Sequence, residues 1–140
     1  MPSKRETAIQ ALADALLATG AEVWRATDLA RAIPPAGLIE VAEGEAASEI
    51  SISPVRYHVN QAAELRVAVT ADDELAAAAS LDALLIRINA TLVADRSLGG
   101  ATETLDLGEP SFEALEVDGA GRVAMVPVRL FFTATASPIA

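Results

Sequence analysis

The sequence predicts an α+β protein: one mixed or antiparallel sheet of about five strands, with two helices packed on one face. Three observations carry this. Two segments repeat apolar residues at the three- and four-residue spacing of a helix. Two long runs alternate apolar and polar residues with the period of a strand. Glycine and proline clusters separate them.

The first helix is expected over 4–19. Ser3-Lys4-Arg5-Glu6 has the form of a capping box, in which the Ser3 hydroxyl takes a free N–H and Glu6 reaches back. Ile9, Leu12, Ala13 and Leu16 then share a face, and Gly20 suits the left-handed residue that ends a helix. Residues 22–26 read as a short strand, and Pro34 and Pro35 make 27–36 a loop. Leu38 to Ala42 and Ile50 to Ser53 read as two short strands, with the acidic stretch 43–49 as a turn between them.

From Tyr57 to Thr70 the alternation is clear. Val59, Ala63, Leu65, Val67 and Val69 fall on one parity; His58, Asn60, Glu64, Arg66 and Thr70 fall on the other. Asp72, Asp73 and Glu74 suit a helix start, where acids meet free N–H groups and the positive dipole end. Leu81, Leu84, Leu85, Ile88 and Leu92 extend a second helix over 73–94, and Ser97 to Gly100 form its exit turn. Residues 102–107 alternate weakly as a strand. The segment 108–121, with Gly108, Pro110, Gly119 and Gly121, reads as a flexible acidic arm or loose hairpin. Arg122 to Ala134 is the last long strand. The whole chain, 1–140, is read as a single domain.

Composition excludes several kinds of activity. The 140 residues are 52% hydrophobic, but abundant alanine inflates that figure. There is no cysteine, which removes disulfides, thiol nucleophiles and thiolate metal sites, and fits synthesis in a reducing cytosol. The first residues lack the continuous apolar run of a signal peptide. The most apolar stretch, 75–94, is interrupted by Asp82, Arg87 and Asn89, so no membrane association is expected. The net charge of −10 and pI of about 4.4 leave no basic footprint for binding nucleic acid directly.

No catalytic, cofactor-binding or metal-binding residue is expected from the sequence. His58 is the sole histidine and sits on the polar parity of a strand, with no Gly-x-Ser-x-Gly elbow in the chain. Gly119-Ala120-Gly121 leads into a strand rather than a helix, unlike a phosphate loop. The acidic groups Glu40, Glu43, Glu45, Glu49 and Asp72, Asp73, Glu74 do not match a calcium loop.

Two surface features stand out. Glu103, Asp106, Glu109, Glu113, Glu116 and Asp118 crowd one region without a Lys or Arg, and read as a solvated face or as a rim facing a partner or a channel. In the last strand, Val126, Val128, Leu130 and Phe132 form one face, but the other also carries Met125, Pro127 and Phe131, with Arg129 as its one charge. A strand apolar on both sides is covered on both faces or forms an interface. Two helices are too few to cover both, so Met125, Pro127, Arg129 and Phe131 are candidates for a self-association surface.

The segments Leu81-Asp82-Ala83-Leu84-Leu85-Ile86-Arg87-Ile88-Asn89, Leu92-Val93-Ala94-Asp95-Arg96-Ser97-Leu98-Gly99-Gly100 and Val126-Pro127-Val128-Arg129-Leu130-Phe131-Phe132-Thr133 resemble the tail terminator (minor tail protein U-like) family of long-tailed phages and gene transfer agents. The order of helices and strands agrees over most of the chain. The resemblance implies a hexameric ring, without catalytic residues or cofactor. Such a ring caps the tube of major tail protein, ends its growth and offers a surface for the neck or head–tail connector, while DNA passes through the hole without specific binding. It implies synthesis in the bacterial cytoplasm and incorporation into a virion or phage-like particle at the tail–neck junction. The alternatives are a neck or head–tail adaptor ring, a small acyl-transfer enzyme using His58, and a monomeric binding module.

Overall fold

The computed structural model describes residues 2–25, 33–115, 120–135 and 137–138, with the backbone alone at Leu115. Helix α1 spans Lys4–Leu16. The Ser3 hydroxyl accepts the Glu6 N–H at 3.1 Å, as a helix cap should. The reciprocal half of the capping box is replaced: the Glu6 carboxylate turns to Arg25, accepting from its Nη1 at 2.7 Å and its Nη2 at 3.2 Å. That bond holds the Glu6 carboxyl below its ordinary range. A 3-10 turn, Leu17–Thr19, continues the helix to Gly20, whose φ of 86° is left-handed as expected.

Strand β1 is Glu22–Arg25; the remainder of the predicted 27–36 loop up to residue 32 lies outside the described residues. Strand β2 runs unbroken from Leu38 to Ile52. The two short strands and acidic turn expected there are therefore one element. The joint is a β-bulge between Glu43 and Ala46. Buried Gln61 fills it, donating from Nε2 to Gly44 O at 2.9 Å and Ala62 O at 2.8 Å. Residues 43–50 are exposed, so they need no apolar alternation, and the strand was invisible to a search for one.

Strand β3, Val55–Ala71, follows a two-residue turn with a cis Ser53–Pro54 bond. Helix α2 is Glu74–Ala94, capped by Asp73, whose Oδ1 accepts the Ala76 N–H at 2.8 Å. Beyond it, Asp95 accepts the Ser97 hydroxyl at 2.6 Å and the Gly99 N–H at 2.8 Å, and these bonds lower its carboxyl pKa. The last strands are β4, Thr104–Leu107; β5, Ser111–Leu115; and β6, Ala120–Ala134.

The strands form one mixed sheet in the order β1-β2-β3-β6-β4, with β5 also on the outer edge of β6. The β1–β2 pair is parallel and every other pair antiparallel. The fold class is α+β, as predicted. The sheet has six strands rather than about five, because part of the expected arm at 108–121 pairs with β6 as β5. Gly108 makes the close crossing between β4 and β5 possible. Its N–H reaches Pro127 O at 2.8 Å, and a Cβ there would lie 2.6 Å from Pro127 Cγ.

Register separates the two faces. Val59 pairs with Phe132, Ala63 with Val128 and Leu65 with Val126; with Ile39, Val41 and Leu105 these residues enter the main core. Ile9, Leu12 and Leu16 of α1 and Leu81, Leu84, Ile88 and Leu92 of α2 cover them. Among the described residues α2 alone is long and apolar enough to cross a membrane, but its Leu81, Leu84, Ile88 and Leu92 are committed to this core.

Leu65→Ala is expected to cost about 2–5 kcal/mol, and Arg66→Ala, one residue along on the other face, less than about 0.5 kcal/mol. Urea titration followed by far-UV circular dichroism measures both. Asp95 and Glu6 have depressed carboxyl pKa values, so their contribution is present above the usual carboxylate range and is lost as pH falls through the depressed folded values. The stability gap between wild type and Asp95→Asn should therefore close below about pH 4, as read by acid titration of the melting temperature.

Candidate functional site

The sheet has a second face, which no helix covers among the described residues. It is built from the odd positions of β6 and the even positions of β3, because antiparallel partners project to the same side. Phe131 stands opposite Asn60, Arg129 opposite Ala62, Pro127 opposite Glu64, and Met125 opposite Arg66. All four candidate self-association residues thus share one surface, as the parity of the last strand implies.

Their environments differ. Met125 is half-buried, packed on a small cluster of Leu38, Ala68 and Val123 that Trp24 and Ile33 also join. Pro127 and Arg129 are exposed, and Phe131 is half-buried. The Arg129 Nη1 donates to Asn60 Oδ1 at 3.3 Å. Neither Arg66 nor Arg129 is in an ion pair among the described residues. The surface therefore has an apolar row along β6 with guanidinium groups beside it, a composition suited to a protein contact.

Those acidic candidates that lie in the described residues border this surface. Asp106 pairs in register with Arg129, and Glu113 with Val123, so both project toward the uncovered face. Asp106 Oδ1 also lies 3.7 Å from Arg96 Nη1. Glu103 accepts from the Thr133 hydroxyl. Glu109 is exposed on the β4–β5 connection. Glu116 and Asp118 lie outside the described residues. The proximity of Asp106 to Arg129 was not legible in sequence, since it depends on which edge of β6 receives β4.

One constellation was missed. His58 Nε2 lies 3.2 Å from the Ser51 hydroxyl, and its Nδ1 lies 3.5 Å from the Thr133 hydroxyl, which bonds Glu103 in turn. Ser51 and Thr133 come from the strands on either side of β3, so spacing along the chain could not reveal the grouping. Of these residues His58 and Glu103 line a shallow depression of about 310 Å³, with Glu49, Asn60 and Phe131. Ser51 lies within β2, not on a nucleophile elbow, and His58 is exposed. Strong oxyanion stabilisation needs donors fixed in a water-excluded site, and this exposed strand surface is not one.

One member of each remaining acidic group has a local role. Glu43 bonds Arg25 and Asp73 caps α2. Among the described residues no three metal-ligating side chains come together.

No family model matches the chain, and no curated protein matches it. Solved structures do, 26 chains in all. One is a chain from the virion of a native gene transfer agent particle. It is 15% identical, the match covers 89% of this chain and 91% of that one, and the TM-score is 0.45. At that level the likeness carries no functional conclusion.

Hydrolysis of an activated ester such as p-nitrophenyl acetate by the purified protein is expected to be unchanged by His58→Ala. A turnover rate that falls in the variant would establish the acyl-transfer alternative.

Proposed function

We propose that this chain is a structural assembly protein of a phage-like particle: a tail terminator that forms a ring, caps the tail tube and joins it to the neck. The observation that supports the reading most directly is the uncovered sheet face, where Met125, Pro127 and Phe131 present apolar surface beside Arg129. An apolar row on a sheet with helices on its other face is completed by another protein surface. The residue pattern of 81–100 and 126–133 supports the choice of particle and of position within it.

In this reading the first partner is a further copy of the chain, six copies closing the ring. The tube of major tail protein meets one rim and the neck or head–tail connector the other. DNA passes through the hole. A net charge of −10 per copy disfavours adhesion of that DNA to the wall. The acidic border formed by Glu103, Asp106, Glu109 and Glu113 is the candidate surface toward the lumen or a partner, and Glu116 and Asp118 are further candidates from the sequence. The protein acts without cofactor or catalysis. It is made in the bacterial cytoplasm and enters the virion at the tail–neck junction.

Phe131→Glu is expected to abolish ring formation, alone or on tail tubes, while leaving circular dichroism and the denaturation midpoint close to wild type. Val128→Asp, which buries an unpaired charge in the core, should unfold the subunit. Native mass spectrometry and negative-stain electron microscopy of the protein with purified tubes read the result. Rings that persist in Phe131→Glu would refute the proposed interface. Binding to the neck complex but not to the tube end would assign the chain to an adaptor ring instead.

A further inference from the structure

Helix α2 has a second apolar face, pointing away from the sheet. Its core side is Ala77, Leu81, Leu84, Ile88 and Leu92. On the opposite side Ala76, Ala79, Ala83, Ile86, Ala90 and Val93 recur at alternating intervals of three and four residues, and all six are exposed. The larger side chains are far from buried: Leu75, flanking the row, is 82% exposed, Ile86 61% and Val93 43%. A three–four alternation of apolar residues is the pattern with which one helix packs along another.

The flanks of this row identify its partner. On one side stand Leu75, Asp82 and Asn89, spaced seven apart; on the other stand Ser80, Arg87 and Ala94. In a parallel helix pair the first flank of one helix meets the second flank of the other. Asp82 of one copy then meets Arg87 of its partner, five residues on, and the reverse contact forms by symmetry. In an antiparallel pair like flanks meet, and Arg87 approaches Arg87. Within one copy, Asp82 and Arg87 lie on opposite sides of the row, and neither is in an ion pair among the described residues. Arg87 engages Nε, donating to Thr19 O at 3.1 Å, which steadies the stem beside the row.

We infer that the outer face of α2 docks a second copy of this chain as a parallel, in-register helix pair, sealed by reciprocal Asp82–Arg87 ion pairs. Alanine at 76, 83 and 90 lets the helices approach closely, while Ile86 and Val93 supply the larger side chains between them. The contact lies on the layer opposite the sheet surface discussed above and does not depend on it; being two-fold, it joins free subunits in pairs and is not one of the contacts that close a six-fold ring. A lipid surface is the less suitable occupant, because Asp82, Arg87 and Asn89 flank the middle of the row and the chain carries −10.

The absence of cysteine makes the test direct. Ala76→Cys and Val93→Cys are introduced singly into the full chain, each also in a Phe131→Glu background to remove the sheet-face contact. Under mild oxidation each variant alone should form a disulfide-linked dimer in both backgrounds. Sedimentation velocity in the Phe131→Glu background should show dimerisation weakened at least about tenfold by Asp82→Arg or Arg87→Asp, and restored when both changes are combined. Crosslinking only when Ala76→Cys and Val93→Cys proteins are mixed would show an antiparallel pair and overturn the proposal. So would failure of either single variant to crosslink, failure of the double charge swap to restore dimerisation, or flotation of the protein with phosphatidylcholine vesicles at the expense of dimer.

Discussion

The pairing of β3 with β6 is the constraint on which the remainder of the molecule depends. It runs from Tyr57–Ala134 to Ala71–Ala120 without a break in register. Both strands alternate, so a slip of one residue would exchange every core side chain for a surface one. In the observed register Val59, Leu65 and Val67 line up with Phe132, Val126 and Ala124, and the two helices have one continuous apolar surface to cover. The same register places Arg66, Arg129 and Phe131 on the other side. The uncovered face is thus a consequence of the pairing that builds the core.

The sheet edges argue that association proceeds through faces. Among the described residues the outer side of β2 pairs with β1 alone, over Leu38–Val41, and beyond it carries Glu43, Glu45 and Glu49 around a bulge. Charges and bulges are the usual means of keeping an exposed strand from pairing with another chain. The opposite edge, β4 and β5, carries Asp106 and Glu113, with Glu103 and Glu109 beside them. Edge-to-edge addition of two copies would bring these acids together, so strand pairing between copies is electrostatically opposed.

Much of this architecture was legible from the residues. The parity of Val59 to Val69, the helical spacing of Leu81 to Leu92 and the turn at Gly20 each rest on a local rule, and each element formed where that rule placed it. The misses have a common cause. The middle of β2 is strand because β3 pairs with it and Gln61 fills its bulge, not because residues 43–50 alternate. Glu6 bonds Arg25 instead of its own helix end because β1 brings a guanidinium within reach. The apolar row on β6 was visible as a row, but its neighbours Asp106, Asn60 and Arg66 came from other strands. The grouping of Ser51, His58 and Thr133 was hidden for the same reason. Sequence spacing reports what one element does alone and is silent on contacts between elements.

Charge shapes how such a subunit can associate. At −10 per copy, approach of two copies is opposed over the range of a Debye length, about 8–10 Å at ordinary ionic strength. That opposition is unevenly spread. The acids concentrate along the outer side of β2 and the β4–β5 edge, whereas on the uncovered face Arg66 and Arg129 stand on the registers either side of Glu64. Between those acidic borders the central registers of β3 and β6 carry both signs, so the apolar row on β6 can be covered there without forcing like charges into contact. The acidic edges remain at the periphery, where water and salt screen them. A subunit of this kind stays apart from its copies at a distance and in wrong orientations, and associates when the mixed-charge centre of this face meets its partner. Repulsion therefore selects the geometry of contact, and the apolar residues supply the attraction once it is reached.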